Sequence, residues 1–405
     1  MTDRPAAPGK FDLVVRNARL MTCDPALFGL GMIDPGAIAI TNGVIKWVGS
    51  EGDRPRHATR VIDAGGFLVT PGLIDCHTHA IFAGDRANEF AMRAEGLGYL
   101  EIAAAGGGIA ATLGPTRGAS DAQLIALLRQ RLAVALSGGT TTIEVKSGYE
   151  LTVAGELRLL RCIAAADARL RVVPTLLAHL VPPDRSRDRE AFVVELCEDL
   201  IPQVARQELA ASVDVYCDEG AFTLAESRSI LEAAHRAGLR VRGHVGQFTD
   251  IGAAELLAEL GALSADHVEQ ISDAAIAALA RAGTVAVMLP GACVQLRLPV
   301  PPVAKLRAAG VPLAIASDLN PGSSYCETLP IQMWLATTHF AMTVDEAWLG
   351  VTRHAATALG LSGPGTLVAG APADLIVWRC EEPAEVPYRY GVGLIETVLV
   401  AGEAV

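Results

Sequence analysis

Two histidines one residue apart, His77 and His79, constrain what this chain can be more than any other feature. They closely follow residues 67–69 (Phe-Leu-Val), an apolar run typical of a buried strand. Alternate side chains of a strand point to the same side, so both imidazoles can reach one point at the strand's end. The pair therefore predicts half of a metal site, although two surface histidines after a turn would show the same spacing.

The composition favours a large α/β protein. The chain has 405 residues, 51% of them hydrophobic, and 40 glycines, which fits one large barrel with an accessory domain. A formal net charge of −12 without clustered Lys and Arg argues against nucleic acid as the main partner. The eight cysteines lack C-x-x-C spacing, the chain starts with a polar segment, and apolar runs stay below about 18 residues. We therefore expect a soluble, cytoplasmic protein with reduced thiols.

Both ends of the chain carry short β-type runs separated by turn residues. These runs lie at residues 11–15, 37–40, 43–48, 373–378 and 395–402. Their pattern is typical of antiparallel strands. We predict that residues 1–69 and 366–405 pair into one composite β-sandwich domain.

The middle of the chain alternates β-rich runs with Ala- and Leu-rich segments of helical period. Eight runs are predicted as strands: residues 69–77, 140–145, 171–177, 212–216, 239–244, 263–267, 284–289 and 312–317. Eight such units predict a TIM-like (β/α)8 barrel over residues 70–365, which places the protein in the α/β class. The long gap between the first two strands, which contains Gly106, Gly107 and Gly108, predicts an insertion with its own helices.

Polar side chains concentrate at the carboxyl ends of these strands, where barrels of this kind place their active sites. They are His77, His79, His179, His244, His267 and Asp318. A single strand-end histidine is more often a hydrogen-bonded core residue, and an aspartate there can simply cap the next helix. Burying several imidazoles and a carboxylate together is costly unless they are paired or bind a metal. The group therefore favours a metal site, and the other four histidines, at 57, 235, 339 and 354, are not expected to take part.

The predicted metal ligands are His77, His79, His244 and Asp318. Three imidazoles and one carboxylate suit zinc, and iron(II) accepts the same set. The predicted fourth strand has no lysine that could be carboxylated to bridge two ions, which favours one divalent metal. Lys146, after the second strand, is expected to pack or to contact substrate rather than to bridge two ions.

Several segments resemble one enzyme superfamily. Residues 71–79 (Pro-Gly-Leu-Ile-Asp-Cys-His-Thr-His) resemble the fingerprint of the amidohydrolases, and residues 365–375 are similar to the return of that superfamily into its β-sandwich. More narrowly, four segments resemble the imidazolonepropionase family, which acts in histidine degradation. They are residues 103–109, 144–149, 264–267 and 320–323. This resemblance extends over nearly the whole chain and implies a metal-dependent hydrolase barrel.

The resemblance implies hydrolysis of the cyclic amide of 4-imidazolone-5-propanoate to N-formimidoyl-L-glutamate. A metal lowers the pKa of water enough to supply hydroxide near neutral pH. Asp318 would accept the proton of that water and later deliver it to the departing ring nitrogen. His267 would polarise the carbonyl or hold the developing oxyanion.

The same matching implies the residues that bind substrate. Arg86 is expected to bind the propanoate tail, because its planar guanidinium suits a carboxylate better than lysine does. The remaining expected contacts divide into Tyr149, His179 and Gln247 for the ring, and Asn320, Gly322 and Ser323 for a polar end of substrate or product. Gly322 would act through its backbone, where the missing side chain allows close approach.

Two segments depart from the family pattern. Residues 245–247 are Val-Gly-Gln where members usually carry Ala, then Asp, then Gln or Glu, and Gln247 cannot act as a base. Residues 290–295 lack the aromatic side chains that relatives tend to show. These departures leave two alternatives open: another amidohydrolase, such as a heterocycle deaminase or a formiminoglutamate deiminase, and a non-catalytic metal-bound relative. The expected partner is a small-molecule substrate, and a homodimer is the default assembly.

Overall fold

The computed structural model describes residues 11–97, 101, 107–182 and 188–405, which contain two sheets. The strands are β1 (Phe11–Met21), β2 (Met32–Thr41), β3 (Val44–Ser50), β4 (Ala58–Asp63), β5 (Leu68–Pro71), β6 (Leu73–Asp75), β7 (Thr140–Lys146), β8 (Arg171–Ala178), β9 (Ser212–Cys217), β10 (Arg240–Val245), β11 (Ser264–His267), β12 (Val285–Met288), β13 (Leu313–Ile315), β14 (Leu375–Trp378), β15 (Ile395–Val400) and β16 (Glu403–Ala404).

The helices of this part of the chain fall mostly between the barrel strands. They are α1 (Ala87–Ala94), α2 (Ala110–Gly118), α3 (Asp121–Ser137), α4 (Val153–Ala164), α5 (Arg189–Glu195), α6 (Ile201–Arg206), α7 (Leu224–Arg236), α8 (Ala253–Glu259), α9 (Asp273–Ala282), α10 (Pro290–Leu296), α11 (Val303–Ala309), α12 (Leu329–Thr338), α13 (Val344–Gly350), α14 (Arg353–Ala358) and α15 (Glu385–Tyr388). A π-helix, Leu196–Leu200, joins α5 to α6, and a 3-10 helix, Glu51–Asp53, follows β3.

The eight strands from β6 to β13 form a parallel barrel in chain order. A parallel bridge between Thr78 and Leu319 brings the first and last strands together. Two backbone hydrogen bonds support it: Asp318 N–H donates to the His77 carbonyl at 3.0 Å, and His79 N–H donates to the Leu319 carbonyl at 2.9 Å. The predicted (β/α)8 fold is confirmed, and its closure joins the segments that carry both predicted halves of the metal site.

The prediction that residues 69–77 form one strand is wrong. Residues Leu68–Pro71 pair with β1 and β14 of the other sheet, and only Leu73–Asp75 pair with β7 of the barrel. The chain changes sheets at Gly72, where a Cβ atom would lie 2.1 Å from Thr141 Oγ1. Glycine therefore allows this close passage, which the apolar run of the sequence did not reveal.

The second sheet combines both chain ends in the order β16-β15-β14-β5-β1-β2-β3, with β4 also paired to β1. This confirms the accessory β unit, but the sheet is mixed rather than antiparallel, because β4 and β5 run parallel to β1. The chain reaches β4 only after crossing over through the 3-10 helix. The limits predicted for the two domains, residues 1–69 with 366–405 and residues 70–365, stay a prediction.

The segment between β6 and β7 contains α1, α2 and α3, in agreement with the predicted insertion. Residues 103–106 of the glycine-rich motif lie outside the described residues. Local signals set several helix starts: Ser120 and Gln123 form a capping box at α3, as Thr223 and Glu226 do at α7. All eight cysteines are free thiols. No helix within the described ranges is both long and apolar enough to cross a membrane.

Candidate active site

The four predicted metal ligands converge at one end of the barrel. His77 and His79 follow β6, His244 lies in β10 and Asp318 follows β13, and all four are buried. The Nε2 atoms of His77 and His79 lie 3.5 and 3.4 Å from Asp318 Oδ1, and those of His79 and His244 lie 3.3 Å apart. A tetrahedral ion with bonds of about 2.0–2.1 Å separates its ligand atoms by about 3.3–3.4 Å. The spacing therefore fits a single ion between these side chains.

Two aspartates fix the orientation of the histidine rings. Asp266 Oδ2 lies 2.7 Å from His77 Nδ1, and Asp214 Oδ1 lies 2.8 Å from His244 Nδ1. A proton on each Nδ1 leaves the Nε2 lone pair free for a metal. Among the described residues, His77 Nε2 has no hydrogen-bond partner despite its burial. A buried acceptor of this kind is what a metal ion would satisfy.

Beneath these histidines lies a layer of fully buried charged side chains, here called the buried charge cluster. Its members are Glu144, Lys146, Asp214, Arg242 and Asp266. Lys146 Nζ lies 2.8 Å from both Glu144 Oε1 and Asp214 Oδ2, and Arg242 Nη2 lies 2.7 Å from Asp266 Oδ2. The cluster thus holds both aspartates that orient the metal-site histidines. Lys146 packs in this layer and does not line the cavity above it.

The electrostatics of the cluster keep Asp214 and Lys146 charged. Burial by itself would raise the pKa of Asp214, but His244 and Lys146 hold it well below its usual range. Burial and Arg242 would lower the pKa of Lys146, yet Asp214 and Glu144 raise it above its ordinary value. Burial lowers the pKa of His244 well below its ordinary value, so this ring is neutral, as a metal ligand must be.

Asp318 sits at the boundary between the metal site and the cavity. Its backbone is left-handed, with φ of +50°, an uncommon conformation for a residue with a side chain. One carboxylate oxygen faces the two histidines, and the other accepts a hydrogen bond from Ser323 Oγ at 3.3 Å. Burial would raise the pKa of Asp318, but the neighbouring imidazoles of His77 and His79 hold it well below its usual range. The carboxylate is therefore available as a proton acceptor.

An open cavity lies directly above this group, and the structure brings nearly all predicted site residues to its wall. The predicted residues that line it are His79, Arg86, Tyr149, His179, His244, Gln247, His267, Asp318, Asn320, Gly322 and Ser323. His77 lies below the cavity, within the metal site. Side chains separated by more than two hundred residues along the sequence thus line the same cavity.

Arg86 lines the cavity but already has a carboxylate partner. Its Nε and Nη2 atoms donate to the two oxygens of Glu89 at 2.8 and 2.7 Å. The guanidinium also lies against Gly322, where a Cβ atom would be 2.1 Å from Arg86 Nη1. The pair with Glu89 fixes the guanidinium, and the absence of a side chain at Gly322 provides its space.

The turn after Asp318 is held by its own hydrogen bonds. Asn320 Oδ1 accepts from the N–H groups of Gly322 and Ser323 at 2.8 Å, while Asn320 Nδ2 donates to Ser323 Oγ at 2.8 Å. The Gly322 carbonyl accepts from Arg93 Nη2 at 2.8 Å and Gln295 Nε2 at 2.9 Å. The N–H group and the carbonyl oxygen of Gly322 therefore both form hydrogen bonds within the protein.

The opposite wall carries the residues expected to contact the ring of the substrate. His179 Nδ1 lies 3.0 Å from the Gly148 carbonyl, and burial, followed by the effect of His79, lowers the pKa of His179 to about 4. Burial raises the pKa of Tyr149, so its hydroxyl stays protonated. Gln247 Oε1 accepts from Tyr216 Oη at 3.0 Å. This wall is thus neutral near pH 7.

Sequence reasoning missed several residues of the site. Arg93 and Tyr216 line the cavity, and most of the buried charge cluster was not singled out. The sequence carried a signal for this cluster, because Glu144, Asp214 and Arg242 are charged residues inside runs predicted to be barrel strands. The sequence carried no signal for Arg93, since an arginine on a helix such as α1 is usually exposed.

Comparisons with known proteins agree with this architecture. The model of the amidohydrolase family matches residues 85–405. Imidazolonepropionases from three bacteria are similar over nearly the whole chain. The relative from Rhizorhabdus wittichii is 46% identical over 397 residues, which cover 96% of this chain and 99% of the relative. The relative from Caulobacter vibrioides is 47% identical over 386 residues, which cover 94% of this chain and 96% of the relative. The relative from Xanthomonas oryzae pv. oryzae is 46% identical over 399 residues, which cover 96% of this chain and 98% of the relative.

Solved structures share the fold at low sequence identity. A zinc-bound adenosine deaminase from Xanthomonas campestris has a TM-score of 0.70 at 18% identity, covering 98% of this chain and 93% of its own. A zinc complex of atrazine chlorohydrolase from Arthrobacter aurescens has a TM-score of 0.72 at 18% identity, covering 97% and 94%. The fold and the site define an amidohydrolase, an enzyme class that uses a divalent metal to act on a small molecule. Within this class, the chain belongs to the imidazolonepropionase family.

Proposed function

We propose that this protein hydrolyses the cyclic amide of 4-imidazolone-5-propanoate to N-formimidoyl-L-glutamate in histidine degradation. The observation that carries the proposal is the convergence of three imidazoles and Asp318 below a cavity that also presents Arg86. Relatives named imidazolonepropionase, 46–47% identical to this chain, support the substrate assignment.

His77, His79, His244 and Asp318 would hold one divalent metal, with zinc favoured over iron. Three neutral imidazoles and one carboxylate suit zinc, and the ligand-atom spacing of 3.3–3.5 Å fits a single ion. A bound metal supplies Lewis acidity and lowers the pKa of water toward neutrality. Lys146, buried between Glu144 and Asp214, already provides a fixed positive charge in the layer below.

Asp318 moves the proton in this mechanism. Its carboxylate accepts a proton from the attacking water as oxygen adds to the amide carbonyl carbon. It then delivers that proton to the ring nitrogen as the carbon–nitrogen bond breaks. His267, which lines the cavity on the other side, donates a hydrogen bond to the carbonyl oxygen as it gains negative charge.

The cavity wall orients the substrate. Arg86 binds the propanoate carboxylate, and its pair with Glu89 holds the guanidinium in place before substrate arrives. Tyr149, His179 and Gln247 contact the ring. Asn320 shapes the turn at the polar end, so that Gly322 leaves room for Arg86 and Ser323 reaches Asp318.

A substrate comparison tests the proposal. Purified protein with one equivalent of zinc is assayed with 4-imidazolone-5-propanoate, with N-formimidoyl-L-glutamate and with an aminated heterocycle. We expect turnover of the first compound only, and a loss of at least about 100-fold in kcat for Asp318→Asn when the kcat values are compared per bound metal. Turnover of the second or third compound alone would establish the deiminase or deaminase alternative. No turnover of any compound by fully metallated protein would favour a non-catalytic relative.

The assembly and location stay predictions. A symmetric homodimer is the commonest assembly of soluble oligomers, and light scattering on the purified protein tests it. A cytoplasmic location fits the expected substrate, and fractionation of the source cells tests it.

A further inference from the structure

Glu269 is a buried acid to which the mechanism above gives no role. Its side chain is 0% exposed, and within the described part of the chain neither carboxylate oxygen has a hydrogen-bond partner. Glu269 Oε1 lies 3.6 Å from Nδ1 of His267, another buried atom without a hydrogen-bond partner in the same ranges. A buried carboxylate and a buried imidazole nitrogen, both unsatisfied and facing each other, require a common explanation.

The backbone is bent to bring these two side chains together. His267 and Val268, at the end of β11, both have left-handed conformations, with φ of +84° and +60°. Such conformations are unfavourable for residues with side chains, and for a β-branched valine in particular. They persist where the surrounding structure requires them, commonly at functional sites. Here the bend places residue 269 against the ring of residue 267.

The neighbouring loop holds this bend in place. The N–H groups of Val268 and Gln270 donate to the carbonyls of Val245 and Gly246 at 3.1 and 2.7 Å. At Gly246, φ is +61° and a Cβ atom would lie 2.4 Å from the Gln270 carbonyl oxygen. Gly246, where this chain departs from the family pattern, therefore allows the close contact that fixes the loop carrying Glu269.

The groups beside Glu269 indicate which atom pairs with its carboxylate. Cys293 also lies beside Glu269, and burial, followed by the effect of this carboxylate, raises the pKa of the thiol to about 12. Cys293 is therefore neutral and supplies no positive charge. His267 Nδ1 is the facing ring atom that can donate to the carboxylate, and the separation of 3.6 Å lies just beyond hydrogen-bond distance.

Building on the proposed hydrolysis, we propose that Glu269 is a positioning residue that accepts a hydrogen bond from His267 Nδ1–H and so fixes the orientation of that ring. Nε2 of that ring then faces the substrate carbonyl oxygen. Glu269 acts only through His267, as a buried carboxylate orients the imidazole in other histidine–carboxylate pairs. The pair thus aims the ring at the oxygen that becomes negative in the transition state.

A spectroscopic measurement tests the proposal without catalysis. The zinc-loaded protein is labelled with nitrogen-15 at its nine histidines, and His267 is assigned with the His267→Asn variant. We expect a protonated Nδ1 at His267 in the wild type and its loss in Glu269→Gln. An unprotonated Nδ1 in the wild type would overturn the proposal, even if the protein failed to hydrolyse imidazolone propanoate.

Kinetics separate positioning from a merely structural role. Glu269→Gln has nearly the same shape as the wild-type residue and removes only the charge. We expect kcat to fall roughly 10- to 100-fold, with KM within about twofold of wild type and zinc content unchanged. The control is Glu255→Gln in α8, which also removes a carboxylate with an unpartnered buried oxygen but lies outside the cavity. This control should keep wild-type kcat.

A double variant gives the sharpest readout. If Glu269 acts only through His267, adding Glu269→Gln to His267→Asn causes no further loss of kcat. If the losses of kcat in the two single variants multiply in the double variant, the proposal is contradicted. A wild-type kcat for Glu269→Gln, or a loss of kcat explained by lower zinc content, would also contradict it. If the wild type alone fails to turn over substrate, the proposed function fails, and the spectra still decide the role of Glu269.

Discussion

The two sides of the metal site are built in opposite ways. Below it, the buried charge cluster consists of side chains that are 0% exposed and paired with one another at 2.7–2.8 Å. Above it, the cavity wall combines separate side chains from strand ends and loops, several of them held by one partner, such as Arg86 by Glu89 and Gln247 by Tyr216. The difference teaches that the lower side orients the histidines proposed as metal ligands, while the upper side leaves an open space for the proposed substrate.

This division has a physical basis. Buried charges are tolerated only as a complete set, because removing one partner leaves another uncompensated in a low-dielectric interior. Cavity residues remain partly in contact with water, so the loss of one can be screened or refilled. Changes below the metal should therefore affect folding and metal binding, and changes above it should affect substrate binding.

The largest expected effect comes from breaking the cluster at its lysine. Lys146→Met leaves Glu144 and Asp214 buried without the cation that pairs with both at 2.8 Å, which should cost about 3–5 kcal/mol of unfolding free energy. The measurement is calorimetric Tm of the metal-free protein. The matched control is Lys305→Met, which removes an exposed ion pair with Asp273 and should cost less than about 1 kcal/mol. Equal effects of the two substitutions would remove the distinction between cluster and surface.

A smaller effect is expected on the cavity side, where Arg86→Ala should mainly raise KM. Losing this charge-assisted contact with the propanoate tail should cost about 2–4 kcal/mol of transition-state binding. Arg86→Lys should fall between alanine and wild type, since lysine keeps the charge but not the planar guanidinium. Steady-state kinetics and Tm are measured together because Glu89 loses one of its partners. Unchanged KM and kcat would exclude Arg86 from substrate binding.

The link between cluster and metal is tested at Asp266. Asp266→Asn replaces the carboxylate that accepts the hydrogen bond of His77 Nδ1, so His77 Nε2 becomes a poorer metal ligand. We expect zinc affinity to fall roughly 10- to 100-fold, measured by competition with a chelator. Asp273→Asn, at an exposed pair, is the control and should leave affinity unchanged. Wild-type affinity for Asp266→Asn would mean that the cluster does not set the metal site.

The smallest expected effect is a pH dependence on the cavity side. Burial lowers the pKa of His179 from its ordinary value of 6.5 to about 4, so on acidification the unfolded chain takes up this proton before the folded one. The neutral ring therefore contributes stability that is complete above pH 6.5 and is lost as pH falls toward 4. When both proteins are free of metal, the Tm of His179→Asn should fall less between pH 7.5 and pH 5 than the Tm of the wild type. The exposed control His235→Asn should behave as wild type, and equal losses in all three proteins would contradict the assignment.

The sequence predicted the barrel and the convergence of the site because strand ends carry the signal directly. His77, His79, His244 and Asp318 each follow or end a predicted strand, and parallel strands bring such ends together. The position of Arg86 came from family resemblance, since one arginine in a loop carries no signal of its own.

Long-range packing explains what the sequence did not show. The change of sheets at Gly72 depends on the closeness of Thr141, which lies on a strand nearly seventy residues later. The parallel pairing of β4 with β1 depends on a crossover that β-type runs alone do not specify. The pair of His267 with Glu269 depends on two left-handed residues, one of them a valine for which this conformation is unfavourable.

A metal titration tests the central claim most directly. Chelator-treated protein is given zinc in steps, and hydrolysis of 4-imidazolone-5-propanoate is followed at each step. Activity should rise linearly and stop at one equivalent per chain, and His244→Asn should show no such end point. An end point at two equivalents, or full activity without metal, would contradict a site in which four distant side chains hold one ion.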